Sequence, residues 1–220
     1  MIPSYPSIYA IGHRALEGFL DDDVVVQEKV DGSQFSFGLL FEPDLVAPQN
    51  SRGENAYHNI LRARSKGAEL NIEAPDKMFA AGVAAVKAVE KVLHPGWVYR
   101  GEFLAKPHHN AIAYDRVPRN HVALFDVTTG PETYLDSFAV AEEAARLGFD
   151  VVPTLFLGRV GSPEMFRDLL EVVSFLGGSK VEGVVVKNYL RFGRDKKALM
   201  GKFVSEKYKE VHAQVWKENN

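Results

Sequence analysis

The residues best able to do chemistry begin at Glu28-Lys29-Val30-Asp31-Gly32-Ser33-Gln34, where a lysine precedes a turn, an acid follows two residues on, and a glycine permits close backbone approach. A lysine there can act as a nucleophile only as the neutral amine, which needs burial or neighbouring positive charge to lower its pKa. The same residues also suit a plain hairpin with a solvated lysine. Further along, Tyr99-Arg100-Gly101-Glu102-Phe103-Leu104 sets a carboxylate among large apolar residues. Ala123-Leu124-Phe125-Asp126-Val127 sets an aromatic beside an acid, so that in a regular strand the two face opposite sides. Glu182-Gly183-Val184-Val185-Val186-Lys187 brackets three valines with an acid and a base, and Gly201-Lys202-Phe203-Val204 adds a late lysine. Singly, each has a duller explanation: strand-end ion pairs for Glu102 and Asp126, core packing for Phe125, surface caps for Lys187 and Lys202. The ordered set asks for a common one.

Elements that could position these residues are legible in the surrounding pattern. β-Branched and aromatic runs predict strands over 24–30, 34–41, 97–104, 121–128 and 181–188. Asp31-Gly32 lies between the first two, a strong hairpin signal. A helix is expected over 76–93, with Phe79, Val83, Val86 and Leu93 on one face and a stop at His94-Pro95-Gly96. A second, 137–147, has Asp136 as N-cap and ends at Gly148. A third opens at Ser162-Pro163-Glu164, with a capping residue, a proline in the first helical position and an acidic first turn, and runs to about 176. A fourth is expected over 205–216. Interspersed strands and helices make an α+β fold built on antiparallel sheets. No repeat, low-complexity tract or long linker divides the chain, so residues 1–220 are expected to form a single domain.

Composition removes several classes of function. With 46% hydrophobic and 25% charged residues, the chain is that of an ordinary globular protein. It has no cysteine, which excludes disulfides, thiolate catalysis and cysteine-based zinc or iron–sulfur sites. No apolar run approaches the ~18–20 residues needed to span a bilayer. The N-terminal Met1-Ile2-Pro3-Ser4-Tyr5 lacks the basic-then-apolar layout of an export signal, so a cytoplasmic protein is expected. The net charge of −3 argues against a nucleic-acid partner, yet residues 180–220 carry 10 Lys+Arg against 5 Asp+Glu, a basic end able to hold a polyanion. Lys106-Pro107-His108-His109-Asn110 invites a metal-site reading, but adjacent histidines project differently and no further ligand spacing supports it. With Tyr114-Asp115-Arg116-Val117-Pro118-Arg119 it reads either as a loop near a nucleotide or RNA end or as plain surface.

Taken in order, the motifs resemble those of the covalent nucleotidyltransferase superfamily, the polynucleotide ligases and mRNA capping enzymes. Lys29-Val30-Asp31-Gly32 is similar to the nucleophile motif. Glu102 falls in the Gly-Glu motif, Phe125 in the aromatic-Asp motif, Glu182 to Lys187 in the Glu-Gly-x-x-x-Lys motif and Lys202 in the last lysine motif, so the resemblance covers roughly residues 24–210. The finer match is to phage-type RNA ligases of the nick-sealing kind. Glu28-Lys29 and Gly32-Ser33-Gln34-Phe35-Ser36 are similar to their Glu-Lys-x-x-Gly-Thr-Asn-Phe-Ser stretch, with an amide at Gln34 where DNA ligases and capping enzymes usually carry arginine. Met200 and Val204 flank Lys202 where the motif often holds a second lysine. After Lys202 only 18 residues remain, too few for the OB-fold or helical domain that such enzymes append.

The resemblance implies a nucleotidyltransferase domain (ATP-grasp-like ligase adenylation) of antiparallel sheets flanked by helices, with the nucleotide cleft between them, acting as an ATP-dependent RNA ligase. Lys29 would attack the α-phosphorus of ATP, AMP would pass to a 5′-phosphate, and a 3′-OH would then displace it. Lys187 and Lys202 would stabilise the α-phosphate oxygens and depress the pKa of Lys29. A largely hydrated Mg²⁺ (or Mn²⁺) would sit by Glu182. Glu102 would bond the ribose hydroxyls, Phe125 would stack on adenine, and Arg64, with Lys66 as the competing choice, would grip phosphate. Glu28 and Gly32 complete the implied nucleotide site, and Asp31 would serve the later steps. RNA, or a nicked RNA-containing duplex, would lie along Arg191, Arg194, Lys196, Lys197 and Lys207, with an accessory protein standing in for the missing domain. A capping-type guanylyltransferase using GTP and a non-catalytic nucleotide- or RNA-binding relative are the alternative readings.

Overall fold

Alternating apolar and polar residues sort the strands into two sheets with a cleft between them. The computed structural model describes residues 1–44, 56–162 and 164–205. In chain order the elements are β1 (Ile8–Ala10), β2 (Val24–Lys29), β3 (Ser33–Pro43), β4 (Tyr57–Ser65), β5 (Glu69–Leu70), α1 (Ala80–Val89), β6 (Val98–Phe103), β7 (Val122–Gly130), β8 (Thr133–Tyr134), α2 (Ser137–Leu147), β9 (Asp150–Val151), β10 (Thr154–Gly158), α3 (Glu164–Leu169), β11 (Gly183–Phe192) and β12 (Ala198–Val204). One sheet runs β1-β12-β11-β2-β10, antiparallel except where β1 lies parallel to β12. The other runs β5-β4-β3-β6-β7-β8, with β9 added parallel to β7. The α+β architecture expected from the sequence is the one observed.

Each sheet buries one face and leaves the other to the cleft. In the first, Val24 and Val26 of β2 pack with Val184 and Val186 of β11, Leu199 of β12 and Phe166 of α3. The alternate residues Gln27 and Lys29 therefore face the cleft, which they line. In the second, Phe35 and Phe37 of β3 join Tyr99 and Phe103 of β6 against Val83 and Val86 of α1 and Val140, Ala144 and Leu147 of α2. The Phe37 and Tyr99 rings stack 5.0 Å apart at 10°. A third, smaller cluster of Val30, Leu104, Tyr114, Ala123, Val152 and Leu176 joins the two where the chain crosses between sheets.

That crossing corrects the expected hairpin. β2 and β3 do not pair; they belong to different sheets. The hydrogen bonds of the intervening turn go to a distant loop. The Asp31 carboxylate accepts from the Ala111 and Ile112 N–H groups at 2.7 and 2.8 Å, and the Asp31 N–H donates to the Tyr114 hydroxyl at 2.8 Å. Gly32 is needed for close approach, since a Cβ there would lie 2.7 Å from the Phe103 carbonyl oxygen and 2.8 Å from Leu104 Cδ1. α2 forms as expected, with the Asp136 carboxylate accepting from the Ala139 N–H and Gly148 left-handed at φ +75°. The first expected helix is shorter, because residues 76–79 form a turn that carries Phe79 into the core before α1 starts. The third stops at Leu169, since the Ser174 hydroxyl and Phe175 N–H bind the Glu28 carboxylate instead of continuing a helix. The fourth, beyond Ser205, lies outside the described residues, as do Lys207 and Pro163. No helix among the described residues is long and apolar enough to cross a membrane.

Gly32→Ala should cost about 1–3 kcal/mol through overpacking at the crossing. A lowered urea midpoint at unchanged slope is the expected result, and a wild-type midpoint would contradict the packing described.

Candidate active site

Four strands bring the ionisable groups together in a cleft of about 750 Å³. Lys29 is the last residue of β2 and lies opposite Gly183 of β11, which sets Glu182 beside it. The Lys29 Nζ is 2.7 Å from Glu182 Oε1 and 2.8 Å from Oε2. Gly183 permits this closeness of strands, since a Cβ there would meet the Phe203 carbonyl oxygen of β12 at 2.4 Å. Lys29, Glu102, Lys187 and Lys202 all line the cleft, on β2, β6, β11 and β12 respectively.

The charge state of Lys29 differs from the expected one. Burial pulls its ammonium pKa down, but the carboxylates of Glu182, Glu102 and Asp31 outweigh burial and leave it raised above 10.5. The lowering expected from Lys187 and Lys202 is not the direction that results. Lys187 is itself occupied: 2% exposed, it lies 3.0 Å from Asp126 Oδ2 and donates to the Phe125 carbonyl at 3.1 Å. Burial lowers its pKa against the pull of Asp126. Lys202 is pulled down by burial first and then by the nearby cations Lys29 and Lys66, with Glu182 opposing.

A β-bulge arranges the Phe125–Asp126 pair. Arg100 lies opposite Asp126 while Gly101 lies opposite Leu124, so Phe125 is the extra residue of β7. The expected opposite-face arrangement is thereby broken. Both residues reach Lys187, whose Nζ sits 4.8 Å from the Phe125 ring centroid as well as on the Asp126 carboxylate.

The other candidates are placed variously. Gly32 and Glu28 border the cleft, but the Glu28 carboxylate is bound by Ser174 and Phe175, and burial raises its pKa against those bonds. Asp31, 4% exposed, is directed at the 110–112 loop. Arg64 does not line the cleft: it donates to the carbonyls of Ile2 at 2.8 Å and Ser65 at 3.2 Å, whereas Lys66 does line it. Arg191 is paired with Asp22, and Lys197 donates to the Ser4 carbonyl and hydroxyl at 2.7 Å. Arg194 and Lys196 are exposed in the turn between β11 and β12, away from the cleft lining. His109 Nδ1 accepts from the Ala105 N–H at 3.1 Å, which leaves its Nε2–H for Ser33 Oγ at 3.0 Å. No cluster of three or more His, Cys, Asp or Glu able to hold a metal ion occurs among the described residues.

Sequence reasoning missed the N-terminal segment. Ser4, Tyr5, Pro6, Ser7 and Ile8 line the cleft, and the Tyr5 hydroxyl donates to the Asp126 carboxylate. The Tyr5 ring meets Phe125 edge-on at 5.2 Å. Nothing local marks Tyr5, whose partner is 121 residues away.

The Glu182 and Glu102 carboxyls are buried close to one another. Burial raises Glu182 to about 7 against the pull of Lys29, and burial together with Glu182 and Asp31 raises Glu102 to about 8. Carboxyl oxygens crowded in this way fit a hard divalent cation that keeps most of its own waters. Because Glu102 titrates near 8 when folded and near 4.5 in the open chain, the folded form holds the extra proton between those values, so stability falls as pH rises from about 4.5 to 8. Glu102→Gln should have a thermal midpoint above wild type at pH 8, with the gap closing toward pH 4.5. Parallel pH profiles for the two proteins would contradict this.

Comparison with known proteins fits the geometry. The profile of the RNA ligase family matches residues 22–204. The fold is similar to that of an RNA ligase from Naegleria gruberi with PPi, at TM-score 0.62 and 16% identity over 96% of this chain and 58% of that one. Variants of the same ligase with ATP and Mn (TM-score 0.63, 18% identity) and with AMP and Mn (TM-score 0.63, 16% identity) likewise cover 96% of this chain and 58% of theirs. The chain thus spans less than two thirds of that ligase. No curated protein sequence matches. On the strength of the profile match over most of its length, the chain belongs to the RNA ligase family.

Proposed function

We propose that this chain is the adenylating core of an ATP-dependent RNA ligase that works through a lysyl-AMP intermediate on Lys29. The observation that carries the reading is the convergence of Lys29, Glu102, Lys187 and Lys202 from four strands on one nucleotide-sized cleft. The Naegleria gruberi ligase structures with ATP and Mn and with AMP and Mn support the nucleotide and a divalent metal.

In this reading the Lys29 nitrogen forms a bond to the α-phosphorus of ATP while the bond to the β-phosphate oxygen breaks and pyrophosphate leaves. Glu182, whose Oε1 is 2.7 Å from Nζ, orients the amine, and the Lys29 proton leaves to solvent before attack. A divalent cation bound beside Glu182 with the nucleotide supplies positive charge that screens the phosphate oxygens and favours the neutral amine. Lys202 and Lys187 stabilise the charge that develops on the α-phosphate. Phe125, held by the bulge, stacks on the base, and Glu102 bonds the ribose hydroxyls. Lys66, not Arg64, holds polyphosphate. Asp31 serves the transfer of AMP to a 5′-phosphate and the attack of the 3′-OH by fixing the 110–112 loop against the nucleophile turn. Arg194 and Lys196 offer cations to the RNA backbone.

Incubation with α-labelled ATP and Mg²⁺ tests this. Label should appear on the protein, vanish in Lys29→Ala, and form about 10²–10³-fold more slowly in Lys202→Ala. Label from GTP alone would instead indicate a capping guanylyltransferase, and absence of covalent label from either would indicate a binding protein.

A further inference from the structure

The first residues of the chain run from one sheet to the other along the cleft. Chain ends are seldom ordered unless tied down. Ile2 is nevertheless 1% exposed and held by both of its backbone groups. Its N–H donates to Glu69 Oε1 at 3.0 Å, and its carbonyl accepts from Arg64 Nη1 at 2.8 Å. Those partners stand on β5 and β4 of one sheet. Two residues on, the Ser4 carbonyl and hydroxyl both accept from Lys197 Nζ at 2.7 Å, in the turn between β11 and β12 of the other sheet. Pro3 and Pro6 flank this stretch with fixed φ and no N–H to satisfy. Residues 4–8 line the cleft, and the segment ends by adding β1 to the edge of β12.

Both cations spend their protons on oxygens of this strap, and neither is part of the cleft lining. Hydrogen bonds from charged donors are the stronger kind, so the two make firm fastenings. What they fasten is a wall. Tyr5, next to Ser4, sets its hydroxyl on Asp126 and its ring edge-on to Phe125 at 5.2 Å, with Lys187 Nζ 6.0 Å from its centroid. A strap released at Ile2 or Ser4 would free Tyr5 from that end of the cleft.

We propose that Arg64 and Lys197 are positioning residues: from opposite sheets they fasten the N-terminal strap by its Ile2 and Ser4 oxygens, and so hold Tyr5 and Phe125 as the wall against which the nucleoside packs. This rests on the cleft being the nucleotide site. It gives two cations that would otherwise be read as phosphate ligands a common task, exercised through the strap and not on phosphate. The wall contacts the nucleoside and leaves the polyphosphate alone, so loss of either fastening acts equally on AMP and ATP.

The test is equilibrium binding of ATP and AMP to the full chain with Mg²⁺, together with amide hydrogen exchange of the N-terminal peptide. Arg64→Ala and Lys197→Ala should each weaken both nucleotides by the same factor, about threefold to tenfold, and should speed exchange at Ile2. Arg64→Lys, which keeps a donor for the Ile2 carbonyl, should recover much of the loss. Arg62→Ala, on the same strand but paired with Glu42, should change neither readout and controls for damage to β4. A loss for ATP well above that for AMP in Arg64→Ala would make Arg64 a phosphate ligand and overturn the proposal. So would unchanged affinity in both alanine variants, or weaker binding without faster exchange at Ile2. Wild type that binds neither nucleotide overturns this proposal together with the nucleotide reading of the cleft. Wild type that binds both, with the equal losses in the variants, but takes no covalent label refutes adenylation and leaves the fastening standing; label with variants that bind like wild type does the reverse.

Discussion

The ion pair between Lys29 and Glu182 is the constraint on which the site depends. It closes the end of β2 onto the residue just before β11, and the register that follows sets Gln27 opposite Val185 and Val25 opposite Lys187. β12 then lies against β11 so closely that Gly183 admits no side chain, and this carries Lys202 to the cleft. Electrostatically the pair holds the amine in its unreactive form. Three carboxylates surround Lys29, and their attraction exceeds the desolvation that would release the proton. In the proposed lysyl-AMP reading, the amine is therefore positioned before it is activated. Activation has to come with the charges of whatever enters the cleft, which ties the chemical step to occupancy of the site.

A second buried pair, Lys187 with Asp126, holds the opposite wall. Buried ion pairs cost desolvation and persist when their remaining hydrogen-bonding capacity is filled. Here the Tyr5 and Tyr189 hydroxyls both donate to the Asp126 carboxylate, and the Phe125 carbonyl takes a further Lys187 proton. The bulge in β7 makes this possible, because it lets adjacent residues turn toward one cation. The N-terminal segment is drawn in by the same network and bridges the sheets: Ile2 is bonded to Arg64 and Glu69 of one, and Ser4 to Lys197 in the β11–β12 turn of the other.

Strands rich in β-branched and aromatic residues were legible in the sequence, as was α2 with its Asp136 and Gly148 boundaries, because those signals are local. The cleft residues Lys29, Glu102, Phe125, Lys187 and Lys202 were found by their order along the chain. What was hidden is non-local. Asp31-Gly32 carries the composition of a hairpin, and only the loop at 110–114, far along the chain, decides that its hydrogen bonds go there instead. Strand β4 shows the period of a half-buried strand only over Leu61-Arg62-Ala63-Arg64, too short a stretch to mark the whole of Tyr57–Ser65. The protonation of Lys29 could not be read from the excess of late lysines, since Asp126 takes up Lys187 and Glu182 takes up Lys29. Neither Tyr5 nor Gln27 bears any local mark of its position on the cleft wall.

The protonation state of Lys29, the proposed nucleophile, can be measured directly by NMR titration of ¹³C-labelled lysine side chains in the nucleotide-free protein, with Lys29 assigned through Lys29→Arg. The expected result is a Lys29 amine that titrates above 10.5 in wild type and lower once Glu182 is changed to Gln. An amine already neutral at pH 8 in the free protein, or one indifferent to Glu182→Gln, would contradict the central claim.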